Sequence, residues 1–359
     1  MSNPTWSYRT DAAIAWLRRS IEVTGSKGSA HSYSPFWGWA AAYPETTGYL
    51  IPTLLRYAET NQDPSLRTLA GNCQNWLITT QLPGGAFPGG LAGNVAPSVF
   101  NTAMILFGLR NPVEKTLAES ENIQRSLERA VSWLLGLLET DGAWRQAAYV
   151  PGFVPSYYTY AVWAVLAANR VEMLPEIPGE MRRALRFYAQ RFRPDGTVAD
   201  WGLRPGPAAF THTIAYTLQG FLESALLLDE PEILEKTLGA ANGLLQEHSR
   251  AGRLAGRYGP GWRGDYSFSC PVGNAQLSML FSRIGEVTGA QKFKTAAKQF
   301  LGEAARFQKL GSIRNTFGAL PGSAPFWGPY LRWRYPNWGA KFFLDAVAEM
   351  DRIDRIFQD

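Results

Sequence analysis

Four short stretches of this chain hold side chains able to move protons. Glu45 lies in YPETTGYLIPTLL, His212 in THTIAYT, Asp265 and Tyr266 in WRGDYSFSC, and Asp200 in ADWG. An acid between Pro44 and the pair Thr46 and Thr47 exceeds what a helix start needs, because threonine caps unaided. Histidine is scarce, with only His31, His212 and His248, so its placement matters. Two carboxylates facing across a cleft would serve glycoside hydrolysis, one as acid and the other as base or nucleophile. His212 with Tyr266 or Tyr158, and an arginine to neutralise a uronate, would instead serve proton abstraction beside that carboxylate, which is lyase or epimerase chemistry. The residue types leave both open, since the distance across the cleft decides. Asp141 and Asp195 belong to Asp-Gly turns and read as turn formers. His31, in the loop before Glu45, is a second candidate imidazole, whereas His248 ends a helix and reads as solvated surface.

What must position these residues is a repeat. Amphipathic segments recur as AIAWLRRSI from 13, LAGNCQNWLITTQ from 69, RAVSWLLGLLET from 129, RALRFYAQRF from 183, GAANGLLQEHS from 239 and AAKQFLGEAARFQ from 296. They are spaced by roughly 54 to 60 residues, the mark of a repeated supersecondary unit. Gly-rich turns with an aromatic follow most of them, among them QLPGGAFPGG, TDGAWRQ and RPDGTVADWG, and these read as loops rather than strands. After each loop comes a more apolar segment: TTGYLIPTLLRYA, VFNTAMILFGLR, YYTYAVWAVLAAN, THTIAYTLQGFLESALLL, GNAQLSMLFSRIGEV and NWGAKFFLDAVAEM. Helices apolar on most faces are buried on both sides. An inner ring of apolar helices inside an outer ring of amphipathic ones satisfies both classes, and closure removes exposed ends. The expectation is therefore an all-α (α/α)6 toroid, one domain over residues 1–359, in preference to an open solenoid.

Every inner helix is entered from its long loop, so all the inner N-termini share one mouth. Glu45, Asn101, Tyr158, His212, Asn274, Gln276, Asn337 and Trp338 fall at or near those positions. Their summed dipoles favour an anionic group there. Trp37, Trp39, Trp144, Trp201, Trp262 and Trp327 fall in the same rim loops, with Arg145, Arg263, Arg332 and Arg334 close by. Flat rings beside amides, guanidinium groups and carboxylates suit a sugar, its CH face on the ring and its hydroxyls on the polar atoms. Glu45, His212, Asp265 and Tyr266, with Asp200, are the expected catalytic set. Trp37, Trp39, Asn101, Trp144, Arg145, Tyr158, Trp201, Trp262, Arg263, Asn274, Gln276, Asn337 and Trp338 are the expected substrate-binding set.

Composition narrows the partners. The formal net charge is +5 with 18% charged and 13% aromatic residues, which suits an anionic ligand. No Lys/Arg block marks a nucleic-acid or polybasic membrane contact, and the basic residues of WLRRS, MRRALRF and YLRWRY read as spaced through helices on a solvated outer face. Cys73 and Cys270 lack metal spacing, and neither a signal sequence nor an apolar run long enough for a membrane helix occurs. A cytoplasmic protein without metal or cofactor is expected.

The alternation resembles the six-hairpin toroid carbohydrate enzymes: unsaturated glucuronyl hydrolases, N-acylglucosamine epimerases and polysaccharide lyases with toroid domains. YPETTGYLIPTLL, VFNTAMILFGL, THTIAYTLQGFLES, CPVGNAQLSMLF and PNWGAKFFLDA more closely resemble bacterial toroid proteins of surface-polysaccharide biosynthesis loci described as squalene-cyclase-like. The resemblance spans nearly the whole chain and implies a carbohydrate-active enzyme on an acidic oligo- or polysaccharide, acting as hydrolase, lyase or epimerase. A non-catalytic glycan-binding or scaffold protein is the first alternative. Isoprenoid cyclases and prenyltransferases share the toroid, but their DxDD or DDxxD clusters are absent, and LLLDEPEIL reads as a loop between hairpins.

Overall fold

Local sequence sets where the helices begin. Thr5 accepts a hydrogen bond from the Tyr8 backbone N–H, Asp63 from Ser65 and Ser98 from Asn101, and Thr116 forms a reciprocal capping box with Glu119. The chain was described from a computed structural model covering residues 4–110, 113, 116–169, 174–206 and 208–356. Among these residues the outer helices are α1 (Trp6–Glu22), α3 (Pro64–Thr80), α5 (Leu117–Gly136), α7 (Ile177–Ala189), α9 (Pro231–Ala251) and α11 (Gln291–Ala305). The inner helices are α2 (Pro44–Thr60), α4 (Val99–Leu109), α6 (Thr159–Ala168), α8 (Thr211–Leu228), α10 (Pro271–Thr288) and α12 (Asn337–Ile356).

The inner helices pack in chain order, α2 on α4, then α6, α8, α10 and α12, and α12 returns to α2. Outer helices α3, α5, α7, α9 and α11 lie on α2, α4, α6, α8 and α10, while α1 lies on α12. This is the closed (α/α)6 double ring. All of α4 is buried, as the sequence of a helix surrounded on every side requires. Neighbouring inner helices touch through glycine: a Cβ on Gly48 would stand 2.5 Å from the Ile105 Cα, and one on Gly220 2.3 Å from the Thr159 carbonyl carbon.

The rim loops depart from the sequence expectation by containing strands. β1 (Ser32–Ser34) pairs antiparallel with β2 (Gly38–Trp39) and with β6 (Tyr335–Pro336), and β4 (Arg257–Tyr258) pairs with β3 (Ala209–Phe210) and β5 (Gly264–Asp265). Strands of two or three residues carry no period-two pattern a reader could find; they form because loops from separate hairpins meet. YLRWRY also departs from its reading as helical surface, since Tyr330 to Arg334 lie in the loop before β6.

Closure rests on the first and last hairpins. The β1–β6 pairing joins residues some 300 positions apart. The Asn337 side-chain Nδ2, at the start of α12, lies within hydrogen-bond distance of Thr46 Oγ1 at 2.8 Å, Ser29 Oγ at 2.9 Å and the Ala30 carbonyl at 3.0 Å, its two hydrogens shared among them. At the other end of the barrel a cavity of about 290 Å³ is lined by side chains from all the inner helices. Its lining holds three ion pairs, Lys341 with Asp345 at 2.7 Å, Arg283 with Glu223 at 3.1 Å and Arg352 with Glu349 at 2.8 Å, together with the further cations Arg56 and Arg110. Asn337→Ala is expected to cost about 2 kcal/mol, because it strips a donor from buried acceptors. A lower urea midpoint at unchanged slope is the measurement that checks it.

Candidate active site

Glu45 occupies the first turn of α2 yet does not cap it. No side chain at the preceding position caps the helix either. The carboxylate turns to two phenols instead: the Tyr43 hydroxyl donates to Oε2 through a short contact, and the Tyr149 hydroxyl oxygen lies 3.0 Å from the same oxygen. The two phenol oxygens are 2.6 Å apart, and Tyr149 also meets Asn101 Oδ1. Asn101 is fixed in that sense because its Nδ2 donates to the Pro88 carbonyl at 3.0 Å. Two phenolic protons thus serve a cluster with four oxygen–oxygen contacts, and a proton on Glu45 supplies a third donor. Burial raises the Glu45 carboxyl to about 7, the two phenols pulling it partway back. No Lys or Arg forms a salt bridge with it among the described residues. Glu45 is therefore a carboxyl group poised between its acid and base forms near neutral pH.

His212 stands at the same mouth, in the first turn of α8. Its Nδ1 makes a short contact with Gln276 Oε1 from α10, so Nδ1 carries the hydrogen and Nε2 keeps its lone pair. Burial holds the imidazole down to about 4, the Gln276 contact acting the other way. The ring packs on Tyr216 and Tyr330, with centroids at 4.5 and 5.1 Å, and lies parallel to Trp338. Glu45 shares those neighbours. Burial and then the Glu45 charge raise the Tyr216 phenol, and Tyr330, raised chiefly by burial, also feels that charge. Tyr43, which holds Glu45, packs on Trp338 as His212 does. His31 completes the wall, its ring 5.1 Å from Tyr43 and 4.9 Å from Trp338. Burial first, and the Arg334 charge second, lower its pKa to about 4. Glu45, Tyr43, His212 and Trp338 are each only 5 to 8% exposed, so together they form a buried polar cluster beneath the mouth. A cluster with one ionisable acid, two neutral imidazoles and several phenols can give and take a proton.

The remaining expected residues divide. Asp265 sits in β5, its carboxylate accepting from Ser267 Oγ and backbone and bound to Arg257, and those bonds hold it below the usual carboxylate range. Tyr266 donates to Glu247 of outer helix α9 at 2.7 Å. Asp200 is half-exposed in a left-handed turn, φ 54°, facing Arg191. None of these contacts reaches Glu45 or His212: turn geometry and arginine partners engage Asp200 and Asp265 within their own loops. Trp144 is fully buried with its Nε1 on the Leu134 carbonyl, and Trp201 packs edge-on against Trp262 beneath the rim. Arg145 is engaged by Glu139 and Asp141, and Arg263 lies exposed against its own loop carbonyl at Pro260. Asn274 donates weakly to Glu303 while its Oδ1 stays without a partner, as does the Tyr158 hydroxyl. Trp39 packs against Trp16 and Tyr33, and Trp37 projects outward at 63% exposure. His248 is not solvated surface: it is buried between α9 and α11 with Nε2 2.8 Å from Glu303. Sequence reading missed Tyr43, Tyr149, Tyr216 and Tyr330. Tyr43 adjoins Glu45, a signal in plain sight, but nothing local marks Tyr149, which is 104 residues from the acid it touches.

No family model and no curated protein matches this chain by sequence. Solved structures do match by shape. An unsaturated glucuronyl hydrolase specific for heparin superposes with a TM-score of 0.76 at 16% identity over 97% of each chain. A second such hydrolase, responsible for glycosaminoglycan degradation in a Bacillus species, gives 0.75 at 15% identity, again over 97% of each. Cellobiose 2-epimerase from Bacillus thermoamylovorans gives 0.67 at 13% identity over 96% of this chain and 99% of its own. Likeness at these identities establishes the fold.

The raised Glu45 pKa has a stability consequence. Its contribution is full below the ordinary value of about 4.5 and is lost as pH rises through about 7, because the folded state holds the proton longer than the unfolded chain. Glu45→Gln keeps an acceptor for the phenols and removes that loss. Its unfolding free energy should exceed wild type at pH 8 by on the order of 2 kcal/mol and match it near pH 4, which denaturant titrations at the two pH values would read.

Proposed function

We propose that the chain is a carbohydrate-active enzyme, one toroid domain acting on an acidic, uronate-bearing oligosaccharide by proton transfer at the Glu45 site. The observation that carries this reading is the buried carboxyl of Glu45, held by Tyr43 and Tyr149 with no salt bridge among the described residues. In its protonated form Glu45 gives a proton to the departing glycosidic oxygen, and the neutral His212 Nε2 accepts one from the sugar. With Asp200 and Asp265 engaged by Arg191 and Arg257, the acid–imidazole pair favours abstraction of a C–H beside the uronate over hydrolysis by two carboxylates. In such an elimination the C–H and C–O bonds break, a C=C bond forms, and the two protons end on His212 and the leaving oxygen. A uronate substrate is also what the glucuronyl hydrolases of this shape act on by name. Hydrolysis with Glu45 as acid is the second reading, favoured by that likeness.

Incubation with acidic oligosaccharides tests both. New ultraviolet absorbance from an unsaturated uronate marks elimination, new reducing ends without it mark hydrolysis, and deuterium uptake without cleavage marks epimerisation. Binding without any of these sinks the enzymatic reading in favour of a glycan-binding scaffold. Glu45→Gln and His212→Ala should each lower kcat by about 10²-fold or more while thermal unfolding near pH 5 stays within a few degrees of wild type. The rate should rise with pH through about 4, as His212 becomes neutral, and fall through about 7, as Glu45 ionises. A profile flat across neutral pH would remove Glu45 from the role of acid.

A further inference from the structure

The rim carries an aromatic surface outside the Glu45 site that proton transfer does not use. Phe36, Trp37 and Trp327 are 64, 63 and 59% exposed, a concentration of large apolar rings that folding alone does not favour. They are one cluster: Phe36 contacts Trp37 at 5.7 Å and Trp333 at 5.5 Å, and Trp333 contacts Trp327 at 6.1 Å. The cluster is held firmly. The Trp333 backbone N–H donates to the Phe326 carbonyl at 3.0 Å, and both Leu331 and Trp333 adopt left-handed backbone, φ 47° and 62°, a conformation unfavourable for bulky side chains. Two cations belong to it. Arg332 is exposed beside Trp333, and the Arg334 guanidinium lies over the Trp37 ring at 5.3 Å, with no salt bridge to either arginine among the described residues.

The small sheet ties this surface to the Glu45 site. His31, in the wall of that site, immediately precedes β1, whose hairpin turn into β2 carries Phe36 and Trp37. Trp333 and Arg334 immediately precede β6 on the other side of β1. Arg334 spans both places, donating to Ser32 Oγ at 3.3 Å and lowering the pKa of His31 while stacked on Trp37. The two sites are separated by about the length of β1, ~10 Å.

We infer that Phe36, Trp37, Trp327 and Trp333, with Arg332 and Arg334, form an outer binding platform for the trailing part of an acidic saccharide chain whose end occupies the Glu45 site. This rests on the proposed function for the substrate class, and on the sheet for continuity. Sugar rings lay their CH faces on the exposed indoles, and the guanidinium groups meet the acidic substituents. A saccharide short enough to lie wholly at the Glu45 site does not reach the platform, so affinity must grow with chain length.

The test is calorimetric binding of oligogalacturonates and heparin-derived oligosaccharides, from disaccharide to hexasaccharide, by Glu45→Gln protein with and without Trp37→Ala and Trp327→Ala. The hexasaccharide should bind more tightly than the disaccharide, and the two alanines should weaken the hexasaccharide about tenfold while moving the disaccharide less than about twofold. Leu227→Ala, which removes an exposed apolar side chain of α8 far along the helix from the Glu45 site, should leave the length dependence in place. Affinity that gains nothing with length, or gains equally without the two tryptophans, overturns the platform. So does wild-type binding to phosphatidylcholine–phosphatidylglycerol vesicles that the two alanines abolish, since the surface would then be a membrane contact. Length-dependent binding lost in the double alanine variant, in a wild-type protein that turns over none of these saccharides, overturns the enzymatic reading and leaves the platform standing.

Discussion

Ring closure is the constraint on which the rest of this structure depends. The inner helices are apolar on nearly every face, α4 entirely so, and an open arrangement would leave the first and last of them against water. Closure is made by α12 returning to α2 and α1, by the β1–β6 pairing, and by the Asn337 amide reaching Thr46, Ser29 and Ala30. Because every outer-to-inner connection lies on one side, closure gathers the inner N-termini at one mouth and their C-termini at the other. The close contacts at Gly48 and Gly220 then leave the inner helices little freedom to drift apart.

The two mouths treat charge in opposite ways. At the C-terminal mouth Arg283, Arg352 and Lys341 pair with Glu223, Glu349 and Asp345 beside the further cations Arg56 and Arg110, and cations suit the negative ends of helices. At the N-terminal mouth the hydrogen-bond partners of the Glu45 carboxyl among the described residues are phenols. The α2 dipole favours its ionised form by about 1 kcal/mol at most, whereas burying a carboxylate without a cation costs several. Burial wins, and the carboxyl titrates near 7. The same low polarity keeps His212 and His31 neutral, so an acid and a base coexist without neutralising each other. Tyr149 matters here because it reaches Glu45 from a loop of a different hairpin and is itself partly exposed at 43%, which places it between the buried acid and solvent.

Much of this was legible in the chain. The alternation of amphipathic and apolar segments gave helix classes, and Gly-rich loops before each apolar segment gave the mouth, which sufficed to bring Glu45, His212, Gln276, Asn101 and Trp338 together. Residue type misled where a polar side chain could serve packing as well as chemistry. Asn337 closes the ring, Trp144 plugs the core, and Asp265 orders its own turn with Ser267. His248, at the end of α9, looked exposed because the sequence of one helix says nothing of Glu303 on the next.

By itself, then, the sequence determined the helical repeat, the closed double ring and the end at which the inner N-termini gather, because hydrophobic period, turn residues and loop length are local properties that each hairpin carries. Tertiary structure alone decided which rim side chains face inward. Tyr149 and Glu45 meet across 104 residues, and His212 and Gln276 across 64. The direction of a loop side chain follows from the neighbours that closure provides, and the pKa of Glu45 follows from the water that those neighbours exclude.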